Sequence, residues 1–203
     1  MMAWMRKLLA RAEITSSGYF DHIGWFETRA RGRALDRHGE PIPWFTYPAI
    51  AYLDERIDSS WRVLEFGSGM GTLWWSQRVE KHIALEHDAA WAALVARSGN
   101  ARVVATSDAD AQSYIAPALP LGPFDVVIVD GLFRTECLAA SRDLLAADGV
   151  ILLDDAQRHE YAAGIEALHA AGFRQIAFHG PQPVSKHAGC TTVLYRSGNV
   201  LGI

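Results

Sequence analysis

The residue types and spacing best suited to chemistry lie in Arg62-Val63-Leu64-Glu65-Phe66-Gly67-Ser68-Gly69-Met70-Gly71-Thr72. An apolar run stops at a glycine-rich turn, and a helix pattern follows at once. Glycines at alternate positions let the backbone approach a ligand where a side chain would collide. The free N–H groups of the next helix then face that ligand. The following apolar run, His82-Ile83-Ala84-Leu85-Glu86, ends on a carboxylate. A carboxylate there accepts hydrogen bonds from both hydroxyls of a ribose. Turn, helix, strand and carboxylate together predict a pocket for an adenosine-containing cofactor.

The dinucleotide fingerprint is G-x-G-x-x-G. Gly67 and Gly69 fit it, but Thr72 stands at the third position and the extra glycine is Gly71. The pattern is E-x-G-x-G-x-G, which resembles motif I of the class I S-adenosylmethionine-dependent methyltransferases. That resemblance implies a cofactor set of Glu65, Gly67, Ser68, Gly69, Gly71, Thr72, Glu86, His87, Asp108 and Asp130. Within it, Gly67, Ser68, Gly69 and Gly71 would contact the methionyl part, and Glu65 would lie near its cationic end. Glu86 would hold the ribose, with His87 against the adenine. Asp108 would approach the adenine amino group, with Asp110 as its rival. Asp88 reads instead as a helix N-cap.

Asp130 ends the fourth predicted strand, and Asp154-Asp155 ends the fifth. This resembles the metal-dependent O-methyltransferases acting on catechols and caffeoyl-CoA, and implies Asp130, Asp154 and Asp155 as oxygen ligands for Mg²⁺. The metal would lower the pKa of an acceptor hydroxyl and orient it. The other reading keeps Asp130 for the cofactor and makes Asp154 or Asp155 a helix cap. Without a metal, a general base takes the acceptor's proton. Asp130 and His159 are the catalytic candidates, with His187 in the loop 184–189 as a further one. Arg134 and Arg158 would either fix an anionic substrate or cover a surface.

These residues need a frame. The predicted strands are Trp61–Phe66, His82–Glu86, Arg102–Ala105, Phe124–Asp130, Gly149–Leu153, Phe173–His179 and Cys190–Arg196. Between them lie helical patterns, at Thr72–Glu80, Asp88–Arg97, Thr135–Ala146 and Gln157–Ala171. Continuous apolar runs such as Val126-Val127-Ile128-Val129 are buried on both faces of a parallel sheet. Alternating strand and helix predicts a doubly wound, Rossmann-like α/β fold. The turn-rich link His179-Gly180-Pro181-Gln182-Pro183 leaves no room for a helix before Cys190 and favours an antiparallel hairpin. A seven-stranded, mostly parallel sheet with that C-terminal hairpin is also what the resemblance implies. Residues 1–60 read as an N-terminal helical and aromatic extension of a single domain, with 61–203 as the cofactor-binding core. The extension holds a helix at Ala49–Ile57 and the aromatics Tyr19, Phe20, Trp25, Phe26, Trp44, Phe45 and Tyr47.

The length suits one domain, and a half-hydrophobic composition excludes a disordered chain. A formal net charge of −4 gives no support for nucleic-acid binding. The cluster Arg29, Arg31, Arg33 and Arg37 reads as a solvated helix face. Cys137 and Cys190 have no metal spacing, and Cys190 reads as a buried thiol; a reducing, cytoplasmic compartment is expected. The N-terminal stretch Met1–Arg11 reads as a short amphipathic helix without a signal-peptide core. No segment reaches spanning length, so no membrane is expected as a partner. The expectation is an S-adenosylmethionine-dependent methyltransferase acting on a small molecule, at oxygen. The rivals are an NAD(P)-dependent oxidoreductase and a non-catalytic cofactor-binding or interaction module.

Overall fold

In the computed structural model, residues 3–16, 18–98 and 101–203 are described. Seven strands form one sheet: β1 (Arg62–Phe66), β2 (Lys81–Glu86), β3 (Arg102–Ala105), β4 (Phe124–Val129), β5 (Leu145–Leu153), β6 (Arg174–Pro181) and β7 (Ala188–Tyr195). Their order is β3-β2-β1-β4-β5-β7-β6. The first five strands are parallel, and β7 runs antiparallel to β5 and β6. The predicted C-terminal hairpin is therefore present, with Pro181 paired to Ala188 beside its loop. The order reverses between β1 and β4, the switch point at which α/β sheets bind ligands.

Side-chain alternation puts each strand into two cores. Leu64, Phe66, Leu85, Val127, Val129, Ile151 and Leu153 face one side of the sheet. There they meet Tyr114 of α7 (Ala111–Ile115), Leu138 of α8 (Arg134–Leu144) and Leu168 of α9 (Ala162–Ala170). Val63, Val126, Ile128, Val150 and Leu152 face the other side. They pack on Trp74 and Trp75 of α5 (Met70–Ser76) and on Leu53 of α4 (Tyr47–Asp54). A further covering helix, α6 (Ala89–Arg97), buries Ala92 and Val95 and starts at the predicted cap Asp88. The Asp88 carboxylate accepts from the N–H groups of Ala90 and Trp91.

Several boundaries differ from the sequence reading. Helix α5 starts two residues early, at Met70, and ends at Ser76. The N–H groups of Arg78 and Val79 both close on the Trp75 carbonyl, and the Glu80 N–H turns to the Ser59 carbonyl. The stretch Gln157–Ala171 is divided into a turn, a 3₁₀ segment at His159–Tyr161 and α9. Helix α7 was missed, being a single turn too short to show a 3.6-residue period. The extension holds α1 (Ala3–Ser16), α2 (Tyr19–His22) and α3 (Trp25–Arg31), then a strap over residues 32–46 leading into α4. Phe45 and Tyr47 are buried in the core. The strap is pinned at Thr46: its N–H donates to Thr191 Oγ1 and its hydroxyl to the Phe178 carbonyl.

Candidate functional site

The glycine turn sits at the switch point. Gly67 has φ +100°, and a Cβ there would lie 3.0 Å from the Gly131 backbone. Only glycine meets both demands without strain. Gly69 is different: a Cβ there would meet nothing within 4 Å, so its Cα borders open space. Beneath the turn lies Glu65, 5 % exposed. Its Oε2 accepts from Thr72 Oγ1 at 2.6 Å, and Thr72 Oγ1 accepts from the Gly69 N–H at 2.9 Å. His82 Nε2 approaches the same Oε2 to 3.2 Å without hydrogen-bond alignment. Thr72 thus ties the turn to the buried carboxylate, and a dinucleotide glycine in its place would supply no such link.

Glu86 is also buried, and it organises the other side of the turn. Its Oε2 accepts from the Ser68 N–H (3.0 Å) and hydroxyl (2.8 Å). Its Oε1 accepts from the Asp88 N–H at 3.0 Å and lies 2.9 Å from His87 Nδ1. Trp91, one turn into α6, donates its indole N–H to the Ser68 carbonyl at 2.8 Å. All of these groups border one cavity of about 650 Å³, together with Gly67, Gly69, Met70 and Gly71. Its far wall is the strap, with Arg33, Pro43, Trp44 and Phe45, and its floor is Asp130, Gly131, Leu132 and Arg134. A second cavity, of about 570 Å³, is lined by the opposite ends of the strands, at Arg62, Lys81 and Arg102, and contains none of the turn residues.

Asp130 follows β4 and keeps one oxygen for Arg134, whose Nη2 donates to Oδ1 at 2.8 Å. Among the described residues its Oδ2 has no hydrogen-bond donor. Burial pushes its carboxyl up to about 7, assisted by the charges of Glu65 and Asp155, while Arg134 and Arg158 draw it down. Arg134 does more than pair. Its Nε donates to the Gly131 carbonyl, Nη2 to the Asp130 carbonyl and Nη1 to the Asp154 carbonyl, at 3.1, 2.8 and 2.8 Å. It is a clamp across the ends of β4 and β5, so the expectation that it fixes a substrate gives way to a positioning role.

The three aspartates do not form a magnesium site. Arg134 stands among them, 2.8 Å from Asp130 and 3.8 Å from Asp155, where a metal would need those oxygens. Asp155 also takes Arg158, and Asp154 accepts the Thr191 hydroxyl at 2.7 Å. Burial, then the Asp130 charge, raises the Asp154 carboxyl well above the usual range. Among the described residues no group of three or more His, Cys, Asp or Glu side chains is placed to hold a metal ion.

Other sequence candidates fall outside the cavity. Asp108 is exposed and does not border it. Its rival Asp110 caps α7, accepting from the Ser113 N–H at 2.8 Å. His159 is exposed in the 3₁₀ turn, and His187 borders a separate hollow with Phe20, Trp25 and Phe26. Trp44, one of the aromatics named in the extension, does border the cavity, whereas Trp91 and Arg33 were missed from the sequence. Trp91 had a signal, since it lies three residues after the Asp88 cap. Arg33 had none: it was grouped with Arg29, Arg31 and Arg37. Those three turn to the Val184 carbonyl, Glu27 and His38, whereas Arg33 borders the cavity.

The family described as "Methyltransferase domain" matches residues 64–156. Comparison with curated proteins finds no match. Among solved structures, precorrin-6y C5,15-methyltransferase from Geobacter metallireducens superposes with a TM-score of 0.58 at 16% identity, over 73% of this chain and 87% of that one. A methyltransferase from Pyrococcus furiosus gives 0.57 at 14% identity, over 95% and 98%. An O-methyltransferase from Bacillus cereus, solved in complex with SAH, gives 0.56 at 15% identity, over 93% and 96%. These likenesses establish the fold, and the family match spans the glycine turn, Glu86, Asp130 and Asp154-Asp155. Residues 64–156 therefore match a methyltransferase-domain model, within a chain whose fold is that of these solved methyltransferases.

Proposed function

We propose that this protein transfers the methyl group of S-adenosylmethionine to a hydroxyl of a small molecule, with Asp130 as general base. The observation that carries the reading is the Asp130 carboxylate itself. It lies in the cavity beside the glycine turn, with one oxygen fixed by Arg134 and the other without a donor among the described residues. The residues present suit the cofactor. Gly69 opens onto the cavity, Glu65 complements a cationic amino group, and Glu86 complements a ribose. The buried Glu65 carboxylate lies beneath the turn that would have to receive a pyrophosphate, which disfavours a dinucleotide. When bound, S-adenosylmethionine supplies an electrophilic methyl on a sulfonium. The chain's part is to hold the acceptor in line, exclude water and take the proton at Asp130. The B. cereus O-methyltransferase of the same fold was solved in complex with SAH, which supports the choice of cofactor.

Binding is tested by calorimetric titration with S-adenosylhomocysteine and NAD⁺; affinity for NAD⁺ alone would overturn the cofactor assignment. The base has its own test. Asp130 accepts a proton only when ionised, and its carboxyl sits at about 7. With a panel of phenols and catechols as acceptors, kcat/KM is expected to rise with pH through about 7 and then level. Asp130→Asn should lower kcat by about 10²–10⁴-fold and remove that limb. Chelator should leave turnover unchanged, because Arg134 holds the ground between the aspartates. A wild-type pH profile in Asp130→Asn would reject the base assignment.

A further inference from the structure

Helix α1 stands apart from both cores. Its first twelve residues are exposed, and it meets the domain chiefly at its C-terminal end, through α2. Trp4 is 55 % exposed, Met5 38 %, Leu8 57 % and Leu9 50 %. At 3.6 residues per turn, Trp4 and Leu8 form one stripe and Met5 and Leu9 the next, with Ala12 extending the same face. Together they make a continuous apolar arc of roughly 140°. Arg6, Lys7 and Arg11 lie outside the arc, with Arg11 and Lys7 on one flank and Arg6 towards the other. They outnumber the one acidic residue of the helix, Glu13.

A 14-residue helix has little stability of its own in water. Large apolar side chains grouped on one exposed face mark a surface that something covers. We propose that α1 is an interfacial anchor that lays this face into an anionic lipid surface. Trp and Leu on the apolar face with Lys and Arg beside them is the composition that seats a helix at the headgroup boundary. Charge complementarity selects this occupant, since a second copy would bring the same basic flanks together. Among the described residues no helix is long and apolar enough to cross a membrane, so α1 lies on the surface and does not span.

The test is co-sedimentation of the full chain with phosphatidylcholine vesicles, with and without phosphatidylglycerol. Binding is expected only to the anionic vesicles, and added salt should weaken it. Leu8→Glu should abolish it. Arg6→Glu with Lys7→Glu should weaken it at least roughly 25-fold, at about fivefold for each basic charge removed. Because α1 lies outside both cores, every variant should keep its wild-type melting temperature. No sedimentation, or equal sedimentation with neutral vesicles, would overturn the proposal. So would a dimer seen by analytical ultracentrifugation, lost in Leu8→Glu, without vesicle binding; that result would assign the face to a second copy.

Discussion

Glu86→Ala is expected to weaken S-adenosylhomocysteine binding by two orders of magnitude or more, read by calorimetry. The Glu86 carboxylate has four acceptor positions, and the Ser68 N–H, the Ser68 hydroxyl, the Asp88 N–H and His87 Nδ1 fill them. The two backbone donors are fixed. The Ser68 hydroxyl and the His87 ring rotate, so these two give way to the hydroxyls of a ribose. Two charge-assisted bonds at about 1.5–3 kcal/mol each correspond to roughly 100-fold or more in affinity. Alanine also leaves the Ser68 and Asp88 N–H groups without their acceptor, which loosens the turn itself. Glu86→Gln keeps the size but turns an NH₂ group towards donors, so it should recover little. Wild-type affinity in Glu86→Ala would move the ribose to another part of the cavity.

Arg134→Met should lower stability by about 3 kcal/mol or more, the cost of breaking a buried, hydrogen-bonded pair from one side. The Arg134 side chain is 13 % exposed and satisfies three carbonyls and one carboxylate oxygen. Methionine fills the volume and leaves all four acceptors unpaired. For a chain of this size the melting temperature should fall by roughly 10 °C. The same substitution acts on chemistry. Arg134 holds the Asp130 carboxyl down against its burial, so losing the guanidinium moves that carboxyl above 7. The rising limb of the pH–rate profile should then shift to higher pH. Arg134→Lys keeps the charge but lacks the planar fork, so it should restore the limb more fully than the stability. An unchanged melting temperature in Arg134→Met would show that the strand ends hold without the clamp.

The glycine turn, both glutamates and the Asp88 cap were legible because each is a local arrangement. The Gly67 backbone, the Thr72 link to Gly69 and Glu65, and the Glu86 contacts with His87 and Asp88 span a few residues of chain. The parallel sheet was legible for a related reason: apolar runs buried on both faces carry their own signature, and the turn-rich link announced the hairpin. The expectations for Asp108, His159 and the metal set shared one weakness. Each rested on position after a strand, and position alone does not say which way a side chain turns or what neutralises it.

What the sequence by itself determined is the cofactor half of this protein: the order of strands and helices, the turn, and the carboxylates Glu65 and Glu86 beneath and beside it. Only the tertiary structure decided the acceptor half. Arg134 reaches the Asp154 carbonyl across 20 residues, Thr191 holds Asp154 across 37, and Thr46 joins Thr191 across 145. Those contacts turn Asp154 to Thr191, join the ends of β4 and β5 beside Asp130, and hold the strap that carries Arg33 and Trp44 along the cavity. The physical reason is range. Turns and caps are set by neighbours along the chain, whereas the charge state and partners of a buried group depend on elements that meet only when the sheet closes.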